Sequence, residues 1–226
     1  MKKLFLLALT ALFSMSASAQ LMRTEELEKY AKEKYGDKWE EAATNIKSQV
    51  SLDKNNSLTY TQVIECPGKT KDQLYVLLNY WYTNTFNDAK SVIQLNDKDL
   101  GCIIGKGFMA GIAGHSGGTN TYVVNVEPII KTDIKDGKVR VTYTVAAYDA
   151  DIAAGGGILG AMSGAKPTHV DATWPLEQCF PFAAKDKHKK TSAKALVMTH
   201  AYSNVMMDKI EEALKNGLTG TENDNW

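Results

Sequence analysis

The run GHSGG at residues 114–118 has the spacing most suggestive of chemistry in this sequence. It fits the G-x-S-x-G pattern of serine hydrolases, in which a sharp strand-to-helix turn exposes the nucleophilic serine. A Val- and Tyr-rich segment starting at Tyr122 follows, which predicts a strand where the hydrolase turn requires a helix. The pattern therefore favours a glycine-rich loop, with catalysis by Ser116 and His115 as the alternative.

A second glycine run, Gly155, Gly156 and Gly157, could form a phosphate-binding loop. It lacks the Lys-Ser/Thr pair of a P-loop and the G-x-G-x-x-G spacing of a dinucleotide site. Because apolar residues follow it, we expect this run to pack against the open face of a sheet, with a mobile flap or a membrane-touching loop as alternatives. These glycines and Trp174 are the candidate binding residues.

Metal ligands do not converge in the sequence. Asp149 with Asp151, and Asp97 with Asp99, are close pairs, but calcium prefers six to eight oxygen ligands and turn chemistry explains all four residues. No Cys/His spacing suggests zinc. We therefore predict neither a metal nor a cofactor.

The N-terminus has the three regions of a secretory signal peptide. Residues 1–3 are basic, residues 4–13 are apolar, and residues 16–19 are small and end in an A-x-A pattern. The apolar run is too short to cross a bilayer. We predict cleavage between Ala19 and Gln20, a secreted and periplasmic protein, and no transmembrane segment.

Composition indicates a packed protein that does not bind nucleic acid. Hydrophobic residues make up 44% of the 226 residues and charged residues 23%, which is typical of a folded domain. The chain has 26 basic and 26 acidic residues, and cleavage would remove Lys2 and Lys3, leaving it slightly acidic. A nucleic-acid surface would need a basic stripe. The basic run KDKHKK at 185–190 is interpreted as a solvated loop, with a binding patch as the alternative.

Three cysteines in an oxidising compartment allow one disulfide and one free thiol. Alternation places Cys102 in a buried strand, as is typical of free cysteines. If a bridge forms, Cys66 and Cys179 are the predicted pair.

The stretch from Leu58 to Gly107 predicts a β-α-β-β unit. Leu58 to Glu65 is rich in β-branched and aromatic residues, and Thr70 with Gln73 matches the capping box of a helix start. Two strands follow, at residues 91–95 and 100–106.

The next segments predict a hairpin and a long final helix. Residues 122–134 form a strand interrupted at Pro128, and Lys138 to Tyr148 alternates most clearly, across a turn at Asp136-Gly137. A helix starts near Ser192 and ends at Gly217, and its predicted buried face includes Leu196, Tyr202 and Ile210.

The domain organisation follows from these elements. Residues 1–19 are the signal peptide, 20–57 a helical extension with a short strand, 58–217 one domain with an irregular insertion at 149–190, and 218–226 a flexible tail. The predicted fold is α+β, with the order β-α-β-β-β-β-α and an antiparallel five-stranded sheet carrying two helices on one face.

The run VIECPGKTKDQLYVLLNYWYTNTFNDAKSVIQLNDKDLGCIIGKG resembles a secreted Bacteroidetes-type family, domain of unknown function 4468, which has a TBP-like fold. The resemblance covers about Leu58 to Tyr148. It implies the fold and a cell-envelope context, but no activity and no functional residues.

The sequence thus leads to two main functional hypotheses, beside a third, a purely structural envelope role with a self-association surface. The first is a noncatalytic binding module of the envelope, acting through the open sheet face and the insertion on an envelope protein or a small apolar ligand. The second is a serine hydrolase that uses Ser116.

Overall fold

The computed structural model describes residues 21–86, 89–155, 157–164 and 166–217. Three predictions fall outside these residues: the signal peptide at 1–19, its cleavage between Ala19 and Gln20, and the flexible tail at 218–226. The structure does not test them. The helices are α1 Thr24–Tyr35, α2 Trp39–Lys47, α3 Lys71–Thr85, α4 Ala89–Val92, α5 Ile158–Ser163 and α6 Lys189–Asn216. The strands are β1 Leu58–Glu65, β2 Ile93–Asp97, β3 Cys102–Lys106, β4 Met109–Ser116, β5 Asn120–Val126, β6 Ile129–Lys135, β7 Lys138–Val145, β8 Ala147–Ala154 and β9 Thr168–Pro175.

The predicted α+β fold and its five-stranded antiparallel sheet are confirmed. The strand order is β1-β7-β6-β3-β2, and α3 and α6 pack on one face. On β7 the side chains of Val139, Val141 and Tyr143 are fully buried, whereas Arg140 is exposed on the opposite face. The Thr70–Gln73 capping box at the start of α3 is also present, with both reciprocal hydrogen bonds.

A second sheet, with the order β4-β5-β8-β9, was not predicted. The predicted strand at 122–134 is divided at Pro128 into β5 and β6, which belong to different sheets. Proline has no N–H for a strand ladder, and here its carbonyl accepts a bond from the N–H of Gly107 at 2.8 Å. The predicted strand at 138–148 is also divided, into β7 and β8, which belong to different sheets.

Two predictions of irregular structure were wrong. The glycine-rich segment that includes GHSGG forms β4, and the segment 149–190 contains the end of β8 and all of β9. These two strands pair along eight residues, from Ala147 opposite Pro175 to Ala154 opposite Thr168. Alanine, aspartate and glycine have low strand propensity, so cross-strand pairing rather than local preference forms these strands. The segment extends the second sheet, and Val63 on the open face of the first sheet is 51% exposed.

The long helix α6 is the centre of the molecule. The apolar stripe predicted for it is buried, as Leu196, Tyr202 and Ile210 show. Its opposite side is buried as well, because α1 and α2 pack there and a salt bridge of 2.7 Å joins Lys194 to Glu28. The N-terminal segment thus completes the core, although the segment predicted as a strand near residue 50 makes only an isolated bridge between residues 52 and 58.

The predicted Cys66–Cys179 disulfide is not present, because Cys66, Cys102 and Cys179 are free, buried thiols. Cys66 lies beside Lys215 near the end of α6, whereas Phe180, next to Cys179, donates its N–H to Ser192 in the first turn of α6. A helix of 28 residues is roughly 40 Å long, and a disulfide needs Cα atoms within about 7 Å. The two cysteines therefore lie at opposite ends of the molecule's central helix.

Candidate functional site: a cleft at the N-terminal end of α6

Three aromatic rings meet where β5, β9 and the start of α6 come together. The imidazole of His188 is stacked on the indole of Trp174, with ring centroids 4.5 Å apart and an interplanar angle of 9°. Tyr122 contacts both rings nearly edge-on, with centroid distances of 5.2 Å to His188 and 5.6 Å to Trp174. The strand register places Tyr122 and Trp174 on the same side of the second sheet. His188, the residue directly before α6, contacts both of them.

Hydrogen bonds hold His188 in this position. The carboxylate of Asp186 accepts the backbone N–H of His188 at 2.6 Å and that of Phe180 at 2.7 Å. The hydroxyl of Ser192 also donates to Asp186. On the ring, Nδ1 of His188 lies 3.2 Å from the hydroxyl oxygen of Tyr122. Asp186 therefore fixes the loop before α6 and ties it to the side chain of Ser192 in the first turn of the helix.

Two cavities adjoin His188. One, of about 620 Å³, lies beside Trp174 and is lined by the loop from residue 175 to residue 187. The other, of about 560 Å³, lies between the GHSGG turn and the first turn of α6. His188 and Lys187 line both, so the two cavities are neighbours along one cleft.

Ser116 and His115 are not arranged as a hydrolase site. Ser116 ends β4 and pairs with Thr121 of β5, so the strand-to-helix turn of the hydrolase pattern is missing. Successive side chains of a strand point to opposite faces, and the ring of His115 lies 5.2 Å from that of Tyr122. In the described part of the chain, no histidine or carboxylate is hydrogen-bonded to the hydroxyl of Ser116. His115 does line the 560 Å³ cavity.

The second glycine run packs against the GHSGG turn. Gly156 lies outside the described residues. The N–H of Gly157 donates to the carbonyl of Thr119 at 3.3 Å, and a Cβ at Gly157 would overlap the backbone of Gly118. The prediction that this glycine run packs against the open face of the five-stranded sheet was therefore wrong. Gly155 adopts φ 78° at the end of β8, and the apolar side chains of α5 that follow are exposed: Ile158, Leu159 and Met162.

Among the predicted binding residues, the structure brings Trp174 into the cleft. Gly157 lies against the backbone of Gly118, which lines the 560 Å³ cavity. Sequence reasoning missed Tyr122, His188 and Lys187. A signal was present, because the basic run KDKHKK directly precedes a helix, where acidic residues normally complement the helix dipole.

The acidic side chains do not form a cation site. Asp151 lies opposite Asp171 on the second sheet, and Nδ1 of His169 is 3.1 Å from the Asp151 carboxylate. Across residues 21–217, apart from the three short gaps, no three His, Cys, Asp or Glu side chains are placed to hold a metal ion. Asp97 accepts the N–H of Leu100 at 2.8 Å, which is the turn chemistry expected for it.

The thiol nearest the cleft is not poised for reaction. Burial raises the pKa of Cys179 to about 12, so at neutral pH the group is a protonated thiol. Its Sγ donates to the carbonyl of Pro175 at 3.4 Å. Cys179 is therefore a structural residue of the cavity wall.

This architecture is that of an α+β protein with a helix-covered antiparallel sheet and a cleft beside an added second sheet. Residues 60–149 match the family model described as "Domain of unknown function (DUF4468) with TBP-like fold". This part of the chain is therefore similar to the family, as the sequence resemblance predicted. The matched range runs from β1 into β8, so Tyr122 lies inside it and both Trp174 and His188 lie beyond it.

Two solved structures are similar to this chain. A TBP-like protein from Parabacteroides distasonis has 11% identity and a TM-score of 0.47, with 71% of this chain and 95% of that chain covered. A DUF4468 family protein from Bacteroides ovatus has 13% identity and a TM-score of 0.43, with 73% and 90% covered. No curated protein matches the sequence significantly. Within the described residues, no helix has the length and apolarity to cross a membrane.

Proposed function

We propose that this protein is a noncatalytic binding protein of the cell envelope, and that a small molecule binds in the cleft around Trp174 and His188. The observation that carries this proposal is the stacked Trp174–His188 pair, which stands between two adjoining cavities. Each cavity lies within the range of about 300–1,000 Å³ that is typical of ligand sites. The envelope assignment rests on the signal-peptide pattern of the sequence and on the context of the family it resembles.

The rings of the cleft are suited to binding rather than to reaction. Planar side chains give a ligand large contact areas at a low cost in conformational entropy. Among the described residues, no histidine or carboxylate is hydrogen-bonded to Ser116, which pairs with Thr121 on β5, and Cys179 is a buried, protonated thiol, so neither is prepared for nucleophilic attack. A fluorophosphonate probe should therefore leave the protein unlabelled. Labelling that disappears in Ser116→Ala would favour the hydrolase alternative.

An envelope protein is the second candidate partner, and the exposed side of α5 favours it. Ile158 is 66% exposed, Leu159 61% and Met162 80%, which is unusual for adjacent apolar residues. These residues lie next to the GHSGG turn, because the N–H of Leu159 donates to the carbonyl of Gly118 at 3.0 Å. A partner docked there would border the cleft.

Native mass spectrometry of the protein purified from its own cells tests the proposal. We expect a mature chain beginning at Gln20 that carries a reproducible extra mass. Trp174→Ala should lose this mass, whereas Trp174→Phe, which keeps a ring, should retain most of it. Trp39→Phe is the matched control, because Trp39 lies against Lys32 and Lys194 on the other side of α6. An extra mass that survives unchanged in a folded Trp174→Ala variant would contradict binding at this cleft.

A further inference from the structure

We infer that the 560 Å³ cavity is an anion site that binds a phosphate group of the ligand. This inference rests on the proposed binding function and adds the chemical class of the ligand. The cavity walls are the GHSGG turn, Tyr122 and the first turn of α6. The 620 Å³ cavity beside Trp174 would then receive the rest of the molecule.

The charge of the cavity wall is entirely positive. Lys187, Lys189 and Lys190 line it together with two histidines, and none of the lining residues is an Asp or a Glu. Lys189 is partly neutralised by Glu40, 3.4 Å from its ammonium group. Lys187 and Lys190 form no ion pair with any residue in the described part of the chain. A chain with equal numbers of acidic and basic residues thus concentrates unpaired cations on one concave surface.

These lysines also occupy positions that oppose helix stability. Lys189 and Lys190 are the first two residues of a 28-residue helix, and its first turn contains no acidic residue. A cation near a helix N-terminus is unfavourable, because the helix dipole is positive there. An anion in the cavity would reverse this effect, since it would interact with both the lysines and the helix terminus.

The opposite wall supplies donors and close access. Gly117 allows His115 to line the cavity, because a Cβ at Gly117 would lie 2.8 Å from Nε2 of His115. Tyr122 also faces the first turn of α6: its hydroxyl lies 3.4 Å from that of Thr191, and both residues line the cavity. Hydroxyls, imidazoles and ammonium groups are the side chains that hydrogen-bond to phosphate oxygens.

Isothermal titration calorimetry tests this inference. The mature protein is titrated with inorganic pyrophosphate at low ionic strength. We expect saturable binding that weakens as salt is added. The double variant Lys187→Gln/Lys190→Gln should bind at least about tenfold more weakly, because it removes two charge-assisted contacts. The matched control, Lys54→Gln/Lys90→Gln, removes the same charge from exposed positions elsewhere and should bind as the wild type does.

Two results would overturn the inference: no saturable binding of pyrophosphate to the wild type, or equal affinities for the wild type, the cleft variant and the control. The proposed function fails separately, by retention of the native extra mass in Trp174→Ala. If that mass depends on Trp174 but not on Lys187 and Lys190, ligand binding stands and phosphate recognition is wrong.

A further experiment distinguishes whether the phosphate belongs to a lipid headgroup or to a soluble ligand. Sedimentation with phosphatidylglycerol vesicles, lost in the cleft variant and retained in the control, would place the phosphate on a lipid headgroup. Binding of pyrophosphate with no sedimentation would place it on a soluble ligand. Either result supports the anion site.

Discussion

Nδ1 of His200 lies 3.2 Å from the hydroxyl oxygen of Tyr60, which joins the middle of α6 to the edge strand β1. The two rings are in contact, with centroids 5.4 Å apart, and Tyr35 of α1 packs against the other side of His200 at 5.3 Å. Burial, with a smaller contribution from the charge of Lys34, lowers the pKa of His200 to about 4. His200 is therefore neutral in the folded protein at neutral pH.

This contact predicts a loss of stability in mild acid. In the unfolded chain His200 has an ordinary pKa near 6.5, so between pH 6.5 and about 4 the unfolded state binds a proton that the folded state does not. The free energy of unfolding should fall over this window, by about 1 kcal/mol once solvent screening of the partly exposed ring is allowed for.

Urea denaturation at a series of pH values measures this effect. His200→Gln, which keeps a hydrogen-bonding side chain without titrating, should have a flatter pH dependence between pH 6.5 and 4. His169→Gln, at an exposed histidine, should keep the wild-type slope. Parallel curves for the wild type and His200→Gln would show that this histidine is not responsible.

Loss of the carboxylate at Asp186 should destabilise the start of α6. It accepts two backbone N–H groups and the hydroxyl of Ser192, so Asp186→Ala removes three hydrogen bonds. We expect a decrease of about 1–2 kcal/mol in the free energy of unfolding, measured by urea denaturation. Lys185→Ala in the same loop is the control. A decrease no larger than that of the control would mean that Asp186 does not stabilise the start of α6.

Gly105 of β3 should not tolerate a side chain. A Cβ there would lie 2.7 Å from Cε1 of Tyr82, whose ring is fully buried and whose hydroxyl donates to the carbonyl of Ile130 at 3.2 Å. Because the ring cannot move without breaking this packing, Gly105→Ala should lower the free energy of unfolding by about 1–3 kcal/mol.

The matched control for Gly105→Ala is Gly118→Ala, where the nearest atom, in Leu159, would be at an ordinary contact distance of 3.7 Å. Thermal unfolding followed by circular dichroism should show a clear decrease in Tm for Gly105→Ala alone. Equal Tm values for the two variants would contradict the close contact between Gly105 and Tyr82.

The separation of Cys66 from Cys179 predicts a protein without a disulfide. Titration with a thiol reagent in denaturant should detect three free thiols per chain, and reductant should leave Tm unchanged. In the folded protein Cys179 should react slowly, since burial raises the pKa of its thiol to about 12. Recovery of a single thiol after oxidative purification would show that a bridge forms.

The sequence by itself determined the elements whose local signals agree with their packing. The Thr70–Gln73 capping box, the alternating strand that became β7 and the apolar stripe of α6 were predicted because the same residues satisfy local propensity and the core. The family resemblance added the fold of residues 58–148 but nothing about a site.

Only the tertiary structure decided the second sheet and the cleft. The residues of β8 and β9 have little strand preference, and they become strands because each supplies the other's backbone partners. Tyr122, Trp174 and His188 are far apart in the chain and belong to three different elements, so no spacing in the sequence indicates that their rings meet. Their contact depends on the strand register and on the hydrogen bonds of Asp186 to the loop before α6, and both of these form only in the folded protein.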